Sequence, residues 1–275
     1  MADITLTGGL RANLIALQQT QIMMETTQGR LATGKRVNTA LDDPLIYFSA
    51  QKGLDKASDL GVKKDQMNEA IATVKAGANG IEAITSLLKT AQGIVQSAQG
   101  STDSTERARL ATQYMNVVSQ INTLASDAGY KGTNLLTNAT LVVSLSDTSA
   151  NTLAVIGFNA SIAGLSVGVG GTADWSSTGT GDAYLTTRAG ELTSALSTLR
   201  LQASNLSSNL NIVQTRLDFT DKMISTLKEG SDKLTRADMT EEGANLLMLQ
   251  TRSQLGAQAL SMSAQLAQSV LTLLR

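Results

Sequence analysis

Two pairs of adjacent carboxylates, Asp42-Asp43 and Glu241-Glu242, are the arrangement with which general acid–base chemistry could start in this 275-residue chain. Both pairs stand at expected helix starts. Asp43 precedes Pro44, and Glu241 lies three residues after Asp238. Capping and attraction to the positive helix end account for acidic residues there. The chain has no histidine and no cysteine, which removes His/Cys zinc sites, a Ser-His-Asp triad and a thiol nucleophile. The glycine-rich stretch 164–181 has neither phosphate-loop spacing nor a following Lys-Ser/Thr. Asn138-Ala-Thr140 and Asn159-Ala-Ser161 fit the N-linked acceptor pattern, which arises often by chance. The sequence thus offers no catalytic residue, no cofactor-binding residue and no metal ligand set, and the expected function is not enzymatic.

Charge and hydropathy narrow the partners. Twenty-two basic and 23 acidic side chains leave a formal charge of −1. That is no footprint for nucleic acid, and it lets like molecules approach one another. No apolar run reaches the ~18 residues of a membrane span. Without cysteines there are no disulfides, so either redox compartment is compatible. Met1 to Leu10 lacks a basic n-region and an apolar h-region, so no cleavable signal peptide is expected, and secretion would use another route.

The elements show heptads. Leu60, Met67, Val74, Ile81, Leu88 and Val95 recur every seven residues, beside a mostly small column of Ala70, Gly77, Ile84, Ala91 and Ala98. Leu110, Tyr114, Val117, Ile121, Leu124 and Ala128 follow at alternating steps of four and three. In the second half, one column runs Leu192, Leu199, Leu206, Val213, Thr220, Leu227 and Leu234. The other runs Leu196, Ala203, Leu210, Leu217, Ile224 and Ser231. Such sustained a/d spacing predicts coiled-coil packing. Gly34 is expected to end a first helix. Asp43-Pro44 starts a second, and Asp103/Glu106 and Asp238/Glu241 have capping-box spacing.

Between the helical halves, residues 132–181 carry only Asp147 and Asp174 as charges. The alternation of Leu141, Val143 and Leu145, then Leu153 and Val155, predicts a β-hairpin, with a third short strand near Ile162–Val169. A helix from Pro44 to Ala98 would run roughly 80 Å, against a radius of gyration of about 19 Å for a compact globule of this length. The expected fold is therefore mainly α: an elongated antiparallel coiled-coil rod with a small β-hairpin insert and paired terminal helices.

The chain ends carry more apolar surface than one neighbour can cover. Leu10, Leu17, Met24 and Leu31 recur every seven residues, with Leu14 and Ile15 beside them. Leu255, Ala259, Met262, Leu266, Val270 and Leu273 form one C-terminal stripe, and Leu260, Ala264, Ala267, Leu271 and Leu274 a second. After Glu242 only Arg252 and Arg275 are charged. One partner helix covers one stripe, and the remaining apolar face marks an association site.

Read together, the ends resemble bacterial flagellin. The N-terminal likeness is Gln28-Gly-Arg-Leu-Ala-Thr-Gly-Lys-Arg-Val-Asn-Thr-Ala-Leu-Asp-Asp-Pro44. The C-terminal one is Ala237-Asp-Met-Thr-Glu-Glu-Gly-Ala-Asn, then Leu249-Gln-Thr-Arg-Ser-Gln-Leu-Gly-Ala-Gln-Ala-Leu260, closing with Gln268-Ser-Val-Leu-Thr-Leu-Leu274. Tyr130-Lys-Gly-Thr-Asn-Leu-Leu136 is similar to the family's exit from its second long helix. The resemblance implies inner, channel-lining helices over 1–41 and 239–275, paired with each other. It implies a rod domain over 42–238, with two N-terminal helices, a hairpin region at about 139–181 and one long C-terminal helix. The minimal middle implies little or no outer domain.

By that resemblance the protein is a structural subunit of the extracellular flagellar filament, self-assembling into a helical tube for swimming. Its partners are then itself, the filament cap, the hook–filament junction proteins, an export chaperone and the flagellar type III export apparatus. No nucleic acid, membrane or small-molecule substrate is implied. Some relatives carry a metallopeptidase insert, but that needs a His-Glu-x-x-His helix. In many flagellins the first long helix carries an Arg/Glu/Leu patch read by an innate-immune Toll-like receptor. The corresponding segment here is Lys89, Thr90, Ala91, Gln92, Gly93 and Ile94, which loses the basic–acidic pattern and implies weak or no activation. A hook–filament junction protein shares the N-terminal Gly-Lys-Arg and Asp-Asp-Pro, and the C-terminal motif argues against it. A signalling coiled coil also has long Ala/Ser-rich heptads, but needs a tight helical hairpin tip where this chain has a β-like insert.

Overall fold

The computed structural model describes residues 8–146, 151–176 and 179–273. In chain order the elements are α1 (Gly8–Thr33), α2 (Pro44–Gly100), α3 (Ser104–Asp127), β1 (Thr140–Ser144), β2 (Thr152–Ile156), α4 (Thr172–Ser176), α5 (Thr180–Thr235) and α6 (Met239–Leu273). Contacts divide the chain into two compact units. One joins the chain ends, up to Asp55 and from Thr226; the other is Lys56–Ser225. These limits fall inside α2 and α5, whereas the 41/42 and 238/239 boundaries read from sequence lie in the helix breaks.

In the Lys56–Ser225 unit the heptads become the core. Leu60, Met67, Val74, Ile81, Leu88 and Val95 are all buried, as are Ala70, Ile84, Ala91 and Ala98 in the companion column. From α5, Leu192, Leu199, Leu206, Val213 and Thr220 face inward. In α3 the seam is Leu110, Tyr114, Val118, Ile121 and Ala125, while Val117 and Leu124 sit half-buried at its flank. The chain leaving α3 folds back over α2 at Gly80. A methyl group there would stand 2.6 Å from Leu136 Cδ1 and 2.7 Å from Ala128 Cβ, so only glycine admits the approach.

The hairpin forms in the expected alternation. Leu141 lies opposite Val155 and Val143 opposite Leu153 in the antiparallel pair. Val143 and Val155 are buried, and Val142 and Ile156 exposed. The third strand expected near Ile162–Val169 does not form. The Leu165 amide donates to Ser161 O at 2.9 Å and the Val167 amide to Ile162 O at 3.0 Å, with Ser166 at φ 54°. This backbone pairs with itself in turns and has no ladder left to offer. Its Ile162, Leu165 and Val167 side chains join the core instead.

The short α4, which the sequence did not announce, buries Trp175 against Tyr114, ring centroids 5.1 Å apart. Polar ties fix this corner. Arg107, almost fully buried, donates to Ser101 O at 2.6 Å and Asp182 Oδ1 at 2.5 Å. The Tyr114 hydroxyl donates to Gly168 O at 3.0 Å, and the Gly168 amide to Glu191 Oε2 at 2.8 Å. Asp103 caps α3 by accepting from the Thr105 amide at 2.9 Å. The reciprocal half of that capping box is absent, because Glu106 pairs with Arg109 instead.

In the unit of the chain ends, Gly34 at φ 67° ends α1, its amide donating to Arg30 O at 2.8 Å. The backbone then ties to the end of α5. The Arg36 amide donates to Thr235 O at 2.7 Å, and the Ala237 amide to Gly34 O at 3.0 Å. Asp43 accepts from the Ile46 amide at 3.0 Å, with Pro44 at the first helical position, and Asp238 accepts from the Thr240 amide at 2.9 Å. These caps place α1 and α6 side by side.

Candidate functional site

Asp42, Asp43 and Glu242 of the two carboxylate pairs have structural partners. Asp42 accepts from the Thr39 amide at 2.8 Å, the Asn38 amide at 3.0 Å and the Thr39 hydroxyl at 3.2 Å. Those backbone N–H groups, Thr39 foremost, hold its carboxyl below the usual range. Asp43 is a helix cap. Glu242 is buried and accepts from Arg30 Nη1 at 3.0 Å across the α1–α6 pair. Among the described residues no group of three or more acidic side chains could hold a metal ion, and no helix is long and apolar enough to cross a membrane. Asn159 of the second acceptor pattern accepts from the Ser161 amide at 3.0 Å, which occupies its amide oxygen in a turn.

What remains is the surface of α1 and α6. Their mutual seam is heptad-spaced. On α1 it contains Leu17, Thr20, Met24, Thr27 and Leu31, and on α6 Glu242, Leu249, Ser253, Gly256, Leu260 and Ser263, all buried or half-buried. Thr20 fits because a helical threonine satisfies its own hydroxyl: Thr20 Oγ1 donates to Ala16 O at 2.8 Å. Gly256 lets α1 come close, since a methyl group there would stand 2.9 Å from Leu17 Cδ1.

This seam divides the residues expected to associate. Leu17, Met24 and Leu31, with Leu10, are half-buried on the side of α1 turned toward α6. Of the second C-terminal stripe, Leu260 is half-buried, but Ala264 is exposed and Ser263 takes the seam position. The reason is phase: the covered row repeats at steps of four and three from Leu249, one residue away from the row drawn through Ala264. The first C-terminal stripe is described from Leu255 to Leu266. Leu255, Ala259, Met262 and Leu266 are all exposed, and so are Leu14 and Ile15 on α1. Leu274 and the side chains of Ala267, Val270, Leu271 and Leu273 lie outside the described residues.

The open face is larger than the sequence reading made it. Ile22, Met23, Leu247 and Met248 are exposed as well. A signal existed. Ile22-Met23-Met24 and Leu246-Leu247-Met248-Leu249 are consecutive apolar residues, which a helix spreads around its circumference, so no single seam could cover them. Met23, Thr26, Arg30, Asn245 and Met248 line a groove of about 350 Å³ on this surface. In the same unit Leu41 is 96% exposed on the turn held by Asp42, with Leu45 and Phe48 also bare on the first turns of α2. Of Lys89–Ile94, Lys89, Thr90 and Gly93 face outward and Gln92 partly so. Ala91 is fully buried and Ile94 packs on the core.

The geometry shows a long apolar surface with no covering partner among the described residues. Residues 11–140 match the profile of the bacterial flagellin N-terminal helical region, and residues 190–274 that of the bacterial flagellin C-terminal helical region. Flagellin FljM of Caulobacter vibrioides is 29% identical over 267 residues, covering 95% of this chain and 96% of its own. A flagellin of Brucella melitensis biotype 1 is 28% identical over 289 residues, covering the whole of both chains. The crystal structure of Bacillus cereus flagellin superposes with a TM-score of 0.47 at 18% identity, covering 56% of this chain and 88% of that one.

Proposed function

Because the chain belongs to the bacterial flagellin family, the structural subunits of the extracellular flagellar filament, we propose that its filament is held by the open face of α1 and α6. The residues assigned to copy-to-copy contacts are Leu14, Ile15, Ile22, Met23, Leu247, Met248, Leu255, Ala259, Met262, Ala264 and Leu266. Residues 1–41 and 239–275 then form the channel-lining layer, with 42–238 outside it. The single observation that carries this reading is that leucines such as Leu255 and Leu266 stay about two-thirds exposed although α6 already has a helix partner.

Exposed apolar area is removed from water only by further copies. Each hundred Å² so covered contributes about 2.5 kcal/mol before entropic costs. Identical contacts repeated with a non-closing rotation generate a helical tube. Delivery by the flagellar export apparatus with a chaperone, addition under the filament cap and docking onto the hook–filament junction are part of the same proposal. Weak recognition by the Toll-like receptor is a further part: the outward Lys89, Thr90 and Gly93 present no acidic partner.

Deleting residues 243–275 tests the assignment. The truncated protein should keep the helical Lys56–Ser225 unit, seen by circular dichroism, and fail to elongate filament seeds. Filaments built from the truncated protein would end the proposal. The receptor reading has its own assay, in which full activation of reporter cells by the monomer would contradict it.

A further inference from the structure

The open face of the chain ends carries a chemical feature that burial does not require. Met67 is fully buried in the Lys56–Ser225 unit, and Met115 and Met223 are half-buried. Among the described residues the exposed methionines, Met23, Met239, Met248 and Met262, all lie on α1 and α6. Met23 and Met248 line the same groove, and Met262 continues the stripe of Leu255, Ala259 and Leu266. A thioether packs adaptably against apolar neighbours, but it is also the side chain that two-electron oxidants attack when water reaches it.

We propose that Met23, Met248 and Met262 form an oxidation site that gates assembly: peroxide converts them to sulfoxides in the free subunit, the sulfoxides block polymerisation, and incorporation shields the sulfurs. This inference rests on the assembly face assigned above. In the step, the sulfur lone pair attacks one peroxide oxygen and forms the S–O bond as the O–O bond breaks. The proton on the transferred oxygen passes to the departing hydroxide, which leaves as water. Sulfur loses two electrons and peroxide gains them, so hydrogen peroxide is the only co-reactant.

The product has a strong acceptor oxygen where the thioether had none. At Met262 the stripe neighbours Leu255, Ala259 and Leu266 carry no hydrogen-bond donor, and the donors nearest along the helix are the amides of Gln258 and Gln265, at i−4 and i+3. A contact that closes over this stripe takes the oxygen out of water and leaves it at best imperfectly paired. Such a group raises the protein concentration needed for polymerisation by roughly tenfold. At Met23 and Met248 the donors that border the groove are Arg30 and Asn245, so all three positions are expected to share the effect.

The test uses the full chain as monomer and as seeded filament, treated with hydrogen peroxide. Oxidation is read by peptide mass spectrometry and growth by sedimentation. Peroxide-treated wild-type monomer should need roughly tenfold more protein to elongate untreated seeds. The triple variant Met23→Leu, Met248→Leu, Met262→Leu should elongate equally with and without treatment, and each single Met→Leu change should recover part of the effect. In filaments, oxidation of these sulfurs should slow by at least about tenfold relative to monomer, as expected of groups withdrawn from water. Unimpaired growth of oxidised wild type, equal inhibition of the triple variant, or equal oxidation rates in filament and monomer would each overturn the proposal. Failure of untreated wild type to elongate seeds is read separately, and it strikes the assembly assignment on which the proposal stands.

Discussion

Two leucines six residues apart on α6 should fail in different ways. Leu249 is 5% exposed in the seam with α1, whereas Leu255 is 66% exposed on the open face. Leu249→Ala removes buried methyl groups from a helix pair that relaxes only in part. The expected loss is about 2–3 kcal/mol of local stability, the lower end of the large-to-small range because two helices close a gap more easily than a full core does. Leu255→Ala should leave the monomer within about 0.5 kcal/mol of wild type, as surface substitutions do. Its effect should appear on assembly. Fully burying a leucine is worth about 1.5–3 kcal/mol, and two-thirds of that remains available, so about 1–2 kcal/mol is lost at the contact. That corresponds to a rise of roughly 5–30-fold in the concentration needed to elongate seeds. Amide hydrogen exchange along α1 and α6 measures the first effect, and sedimentation of seeded filaments the second. If Leu255→Ala accelerates exchange as much as Leu249→Ala, or leaves the polymerisation concentration unchanged, Leu255 is no assembly residue.

Arg30→Met strands the nine-tenths buried Glu242 carboxylate. It should loosen α1 from α6 by about 1–3 kcal/mol, less than a fully buried pair because the guanidinium is partly in water; a double-mutant cycle with Glu242→Gln read by hydrogen exchange should show coupling, and none would mean the pair contributes nothing. Burial pushes the Tyr114 hydroxyl up to about 12, so the neutral phenol is the form that the fold favours. Stability from this group is therefore complete below the ordinary tyrosine value and is lost as pH rises through about 12. Tyr114→Phe should remove that part of the alkaline loss in the Lys56–Ser225 unit, and alkaline melting curves of identical slope would contradict it. Asp42 is the opposite case: its carboxyl is held low, so the turn it ties persists above the ordinary carboxylate range and loosens as pH falls through the lowered value. Exchange of the Asn38 and Thr39 amides should accelerate there, and should already be fast at neutral pH in Asp42→Ala. Gly80→Ala should lower thermal stability although alanine favours helix by about 1 kcal/mol, because the added methyl meets the immobile Ala128 Cβ; a higher melting temperature would refute the close-approach argument.

Much of the molecule was legible because its order is local. Heptad columns from Leu60 to Val95 and from Leu192 to Thr220 face the core as their spacing requires. Asp43, Asp103 and Asp238 cap helices as their positions require. The alternation through Val143 and Val155 made the hairpin. In each case the side chain's direction follows from helix or strand periodicity within a few residues. The misplaced residues are those whose environment depends on a distant segment. The 162–169 stretch has strand-like composition, but its amides bond within the turn while Ile162, Leu165 and Val167 fill a gap among the helices.

The same division applies to the functional surface. The sequence by itself determined that the terminal helices hold more apolar residues than one neighbour can cover, and that no histidine or cysteine chemistry occurs anywhere in the chain. The tertiary structure alone decided which rows are spent inside the molecule. Leu17, Met24, Leu31 and Leu260 turn to the α1–α6 seam, while Ile22, Met23, Leu247, Met248, Leu255 and Met262 remain outside. Periodicity fixes the angle between two side chains on one helix, but the absolute rotation of that helix is set by the helix that packs against it. Here that helix lies more than two hundred residues away in the chain, joined at Arg30 and Glu242, so no local pattern could encode which face it would cover.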